Sequence, residues 1–271
     1  MIAALGTGGA PQTRRWFMPI AGLLTGTAWL ALLLWEQSPY GRYLDHPGWT
    51  QTGLAAALCR ALPAGDIMLP ALIYAGGSLL MTAAMMLPTA LPLLRLFDRM
   101  VQARPDYAWL MSLLVAGYLA VWLGFGIAAH ALDAVMHAGV RQTEWLVLNG
   151  WAVGAAVLAL AGIFQFSRLK YHCLDKCRTP YGFITARWRG PHPWRSSLRL
   201  GLDHGLYCVG CCWAIMLLMF VVGTGNVGWM LALGALMAIE KNMPWGRRLS
   251  RPLGAALLAA AATIMIANLS A

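Results

Sequence analysis

Three of the six cysteines in this 271-residue chain fall within five positions, in the stretch GLYCVGCCW from Gly205 to Trp213. On a helix, His204, Cys208, Cys211 and Cys212 stand at i, i+4, i+7 and i+8, so their side chains share one face. Met216 and Met219 continue that face. A second group lies in LKYHCLDKCRTP, where Cys173 and Cys177 stand at i and i+4, His172 is adjacent, and Pro180 stops a helix soon afterwards. Sulfurs three and four apart on helices reach one metal ion, whereas a reducing compartment disfavours their disulfides. Cys59 stands apart from both groups and reads as a small apolar residue.

Ligand softness selects the metal. Thiolates with thioethers favour Cu(I), and four thiolates in a closed tetrahedron would instead suit zinc or an iron–sulfur cluster. The stretch LLMTAAMMLPTALP supplies the thioethers: Met81 and Met85 lie at i and i+4 with Met86 beside them, and Pro88 and Pro92 are expected to bend the helix. Copper therefore ranks ahead of zinc or iron–sulfur, with Cys173, Cys177, Cys208, Cys211, Cys212, His204, Met81, Met85 and Met86 as candidate ligands. Lys170, Lys176 and Arg178 near the thiols favour the thiolate that a metal needs. Glu240 is a candidate outer partner that orients His204 or takes a proton, or else pairs with Lys241 or Arg199. His130, Asp133 and His137 share a helix face and form a weaker candidate site, while His46 and His192 have no partner spacing. Cys208-Val209-Gly210-Cys211 is also a redox spacing, so a membrane thiol–disulfide oxidoreductase is the alternative function.

The elements that position these residues are membrane helices. The chain is 59% hydrophobic and only 11% charged, beyond ordinary soluble usage. Apolar runs long enough to cross about 30 Å of hydrocarbon lie at Phe17 to Trp35, Ile67 to Leu94, Ala108 to Ala131, Trp145 to Phe166, Gly205 to Val222 and Leu253 to Leu269. A shorter run, Asn226 to Ile239, follows the turn Gly223-Thr224-Gly225-Asn226 and makes a hairpin with its predecessor, either as a full span or as a re-entrant half-span. The fold expected is an all-α polytopic bundle of about seven spans, residues 1–271 forming one integral membrane domain with an interfacial loop at 167–204.

Charge sets its orientation. With the N-terminus cytoplasmic, 17 of the 20 Lys and Arg residues fall on inner segments, as the positive-inside rule requires. The net charge of +10 then needs no nucleic-acid partner. Thr13-Arg14-Arg15-Trp16-Phe17 is similar to a twin-arginine export signal, but the long apolar run behind it, without a clear cleavage site, reads as a first span. No phosphate-cradling glycine loop, Ser/His/Asp arrangement or pair of intramembrane carboxylates points to nucleotide-driven transport or hydrolysis.

The motifs AMMLPTALP from Ala84, GYLAVWLGFG from Gly117, GIFQFSRLKYHCLDKCRTP from Gly162, GLYCVGCCW from Gly205 and the Glu240-Lys241 pair resemble a bacterial family of predicted metal-binding integral membrane proteins, some described as copper chaperones for enzymes such as tyrosinase. The match runs from about Leu69 to Gly254. It implies a multi-helix membrane fold, copper handling, and ligands at Cys173, Cys177, Cys208, Cys211 and Cys212. The family usually has methionine before the asparagine of GTGNVGWM, where this chain has Gly225. The function expected is a Cu(I) chaperone or accessory subunit in a bacterial inner membrane. Its partners would be membrane lipid and a membrane or periplasmic copper enzyme, and it would not itself be an enzyme.

Overall fold

A computed structural model of the chain describes residues 17–37, 68–143, 145–146, 149–188, 191–222 and 226–270. The described residues build helices and no strand: α1 (Phe17–Glu36), α2 (Met68–Val101), α3 (Tyr107–Arg141), α4 (Trp151–Phe164), α5 (Arg168–Arg178), α6 (Pro180–Arg187), α7 (Pro193–Val222), α8 (Val227–Asn242) and α9 (Gly246–Leu269). Helices are what a backbone without water must form, because they satisfy their own N–H and C=O groups. Four stretches are long and apolar enough to cross a membrane: Gly76–Val101, Tyr107–Ala129, Pro193–Met219 and Gly246–Leu269. A fifth results if α4 and α5, bent by 63° at their junction, are one broken span. Large apolar side chains such as Leu23, Ile127, Val135, Ile163, Ile266 and Leu269 face outward, as suits a lipid-facing exterior.

Each of the seven apolar runs carries a helix, and α2 continues through Pro88 and Pro92 as one element. With 16 residues, α8 extends about 24 Å at helical rise. That is short of the hydrocarbon thickness.

The segment 167–204 departs from the expected loop. It forms α5, α6 and the first turns of α7, which begins at Pro193 rather than Gly205. Ser167 caps α5 by accepting the Lys170 amide at 3.1 Å, and Pro180 sits in the first turn of α6, where its missing N–H costs nothing. The segment's Arg and Pro content hides two apolar faces. Lys170, Cys173 and Leu174 are buried on α5, and Phe183 and Ile184 on α6. Arg187 ties α6 to α7 through an ion pair with Asp203 at 2.7 Å, its guanidinium 4.1 Å from the Phe183 ring centroid.

The crossing of α3 and α7 fixes where the cysteines lie. A side chain on Gly201 would collide with the Leu114 carbonyl, one on Gly117 would meet the Leu198 carbonyl oxygen at 2.6 Å, and one on Gly205 would meet Val121 Cβ at 2.8 Å. Small residues at four-residue spacing let two membrane helices approach this closely. One turn earlier, Ser197 Oγ donates to the Leu110 carbonyl at 2.5 Å. Cys208 then comes on the turn after Gly205, inside the bundle.

Candidate metal centre

The α3–α7 contact leaves the next faces of α7 to α5, α4 and α8, and the α7 thiols lie toward α5 and α8. Cys208, Cys211 and Cys212 are each 1% exposed. Cys211 and Cys212 Sγ are 3.4 Å apart, and the Cys211 thiol donates to the Cys208 carbonyl at 3.1 Å. From α5, Cys177 faces Cys208 and Cys211 on α7 closely enough to interact with both.

A cation points into this group. Lys241, buried at the end of α8, donates to Cys208 Sγ at 2.8 Å and to Thr89 Oγ1 at 3.3 Å. The antiparallel α7–α8 pair brings Lys241 back to the level of Cys208. The Tyr118 hydroxyl donates to the Met86 carbonyl at 3.1 Å and shares a hydrogen bond with Cys208 Sγ at 3.0 Å. His204 lies between the Tyr118 and Phe183 rings, each with its centroid 5.6 Å away. Its Nδ1 is buried without a hydrogen-bond partner, and a buried ring nitrogen left unpaired is costly.

A second polar cluster holds α5 in place. Lys170 Nζ donates to both Glu240 carboxylate oxygens at 2.9 Å and to Gln165 Oε1, and Ser250 Oγ donates to Glu240 Oε1 at 2.7 Å. At the other end of α5, Arg178 donates to the carbonyls of Glu240 and Lys241, of Met243 at 2.8 Å and of Pro244 at 3.0 Å. These carbonyls terminate α8 and have no partner within it. The helix carrying Cys173 and Cys177 is therefore pinned at both ends to α8 and to the turn after it.

Several expectations change here. Glu240 pairs with Lys170 and Ser250, not with His204, Lys241 or Arg199, because Lys170 is fully buried and requires a carboxylate. Lys170 is thereby spent on Glu240, and Lys241 is the cation against the sulfur. Cys173 sits against α7 at Gly210, where a Cβ would lie 2.7 Å from its Sγ. Met85 and Met86 are buried, Met85 packing on Gly234 of α8, while Met81 is half-buried at the edge of the core. Met216 and Met219 on α7 are buried as well, and so are Met230 and Met237 on α8, which sequence spacing did not single out. His172 and His192 are exposed. The side chains of His130, Asp133 and His137, and all of His46 and Cys59, lie outside the described residues. Tyr118 and Thr89 were missed as neighbours of the thiols, although Tyr118 stands in one of the motifs that carry the resemblance.

The donor set is soft and partly prepared. Among the described residues no three His, Cys, Asp or Glu side chains already form a ligand set for a metal ion; the thiols bond instead to one another and to Lys241. Disulfide exchange is poorly served, since an incoming thiol has almost no surface to attack at Cys208 or Cys211. A family model described as copper chaperone, PpoB2, matches residues 77–264. The chain belongs to this family. The matched residues include the cysteine-bearing helices, the Glu240-Lys241 pair and Tyr118, and the family's description gives the chain a general role in copper handling. No curated protein and no solved structure matches it.

Proposed function

We propose that the chain is a membrane Cu(I) chaperone that holds its cargo at Cys177, Cys208, Cys211 and Cys212. The observation that supports this reading is the Lys241 ammonium on Cys208 Sγ beside the Cys211–Cys212 pair, with Cys177 facing them from α5. Thiolates suit Cu(I) above harder ions, and each ligand must lose a proton when metal binds. The ammonium at Cys208 favours the thiolate and balances the negative charge that a Cu(I) ion leaves on two or more thiolates. His204 supplies a ring nitrogen without a hydrogen-bond partner one turn before Cys208. Cys173, on the same helix as Cys177, serves as the neighbouring sulfur from which copper enters. The buried thioethers of Met85, Met86, Met216 and Met219 continue from the thiols toward the bundle interior and provide weaker sites for onward passage.

The orientation follows the positive-inside count. The thiols then lie toward the cytoplasmic surface of a bacterial inner membrane, and copper moves outward to a membrane or periplasmic copper enzyme, with the chain as donor or accessory subunit. The protein performs no catalysis in this reading. Thiol titration and Cu(I) competition against a chromophoric chelator test it. Wild type should bind copper with protection of at least two of the four thiols from alkylation, and C177S should weaken binding more than C173S. Equal effects of the two substitutions contradict the four-sulfur assignment. If chelation leaves Cys208 and Cys211 unreactive until a reductant is added, the pair is a disulfide and the oxidoreductase reading replaces this one.

A further inference from the structure

A cavity of about 650 Å³ opens beside α5 and the start of α9, lined by Tyr171, Pro244, Arg247, Arg248 and Arg251. None of its lining residues is a cysteine, and Pro244, whose carbonyl Arg178 engages, forms part of its wall. Its lining is unusual for a protein surface that must balance charge. Three guanidiniums meet there. Arg247 pairs with Asp175 at 3.3 Å and sits 5.3 Å from the Tyr171 ring centroid. Among the described residues, neither Arg248 nor Arg251 has a carboxylate within ion-pair distance, and Lys176 and Arg178 on the facing helix add further positive charge. Asp175, the carboxylate that Arg247 pairs with, is already engaged.

We infer that this cavity is a binding site for an anionic phosphate group, and that a phospholipid headgroup fills it. Guanidinium forks match phosphate oxygens two at a time, more specifically than an ammonium does. The volume lies within the range of small-molecule sites. The depth is right for a headgroup: Arg247, Arg248 and Arg251 occupy the first turns of α9, a helix that reaches across a membrane by length and composition, and exposed Trp245 precedes them as interfacial tryptophans do. Basic pockets at the ends of membrane helices hold anionic lipids for these reasons. Because Tyr171 belongs to α5 and the arginines to α9, a bound headgroup bridges the two. It would brace the helix that carries Cys177 from another side than Lys170 does.

The test uses the full chain in nanodiscs of phosphatidylcholine with a minority of phosphatidylglycerol, reading the lipid that remains bound on extraction by native mass spectrometry. Wild type should retain phosphatidylglycerol over phosphatidylcholine, and R247Q/R248Q/R251Q should lose that preference by roughly fivefold for each arginine removed. A charge-matched control, R99Q/R195Q/R199Q, removes as much positive charge from the same end of the bundle outside the cavity and should keep the preference. R251Q alone should give a smaller loss in the same direction, which keeps the result readable if the triple variant does not fold. Equal retention in wild type and R247Q/R248Q/R251Q overturns the site. So does an equal loss in the control, since that is surface potential alone. Inorganic phosphate, added in neutral detergent without lipid, should protect against heat less than phosphatidylglycerol does; equal protection overturns the lipid as occupant.

Discussion

Two lysines are buried at the same end of the bundle and are treated differently. Lys170 meets the Glu240 carboxylate at 2.9 Å on both oxygens, with Gln165 and Ser250 completing the cluster. Lys241, the residue after Glu240, meets Cys208 Sγ at 2.8 Å and the Thr89 hydroxyl, and among the described residues no carboxylate approaches it. A buried ammonium needs a counter-charge. For Lys170 another structural group supplies it, whereas for Lys241 it falls to the cysteines. One lysine therefore fixes helices, and the other conditions the chemistry of the sulfur it touches.

The largest effect should come from breaking the structural pair. K170M strands the Glu240 carboxylate in the core and should cost about 3–5 kcal/mol, read by denaturant or thermal unfolding in detergent. K170M/E240L, which removes both charges, should recover most of that loss. K241M leaves no carboxylate behind, so its stability change should be well under that of K170M. Its effect belongs to the metal: loss of a charged hydrogen bond to Cys208 should weaken Cu(I) binding about tenfold, measured by chelator competition. A destabilised K241M with unchanged copper affinity would reverse the roles assigned to the two lysines. S250A removes one of several hydrogen bonds to Glu240 and should cost about 1 kcal/mol with copper affinity untouched. At the small end, Arg104 pairs with Asp106 at the surface at 2.8 Å. The guanidinium holds the Asp106 carboxyl below its usual range, so any stabilisation is present at neutral pH and is lost as pH falls through that lowered value. Screening by water should leave D106N indistinguishable from wild type in unfolding.

The sequence was informative where one dimension suffices. Runs such as Ala108 to Ala131 and Leu253 to Leu269 announce their helices because a chain in lipid has little other choice, and the spacing of His204, Cys208, Cys211 and Cys212 gives a shared face without knowledge of neighbours. It was less informative where partners are distant. Lys170 and Glu240 are seventy positions apart, and nothing local marks Lys170 as buried rather than as one of many loop cations. Composition also misled at 167–204, where Arg, Pro and Trp conceal the apolar faces of α5 and α6. Cys173 and Cys177 look equivalent at i and i+4. They differ because Gly210 lets α5 approach α7 at Cys173, leaving the next turn to bring Cys177 to the other thiols.

The central claim is that the α7 cysteines hold copper beside Lys241. Copper and protein should be quantified together for wild type and for C208S/C211S/C212S, both purified from cells given the same copper and both shown to be folded by their thermal unfolding. Near-stoichiometric copper in wild type and its loss in the variant is the result predicted here. Retention of wild-type copper by the folded variant would contradict the assignment.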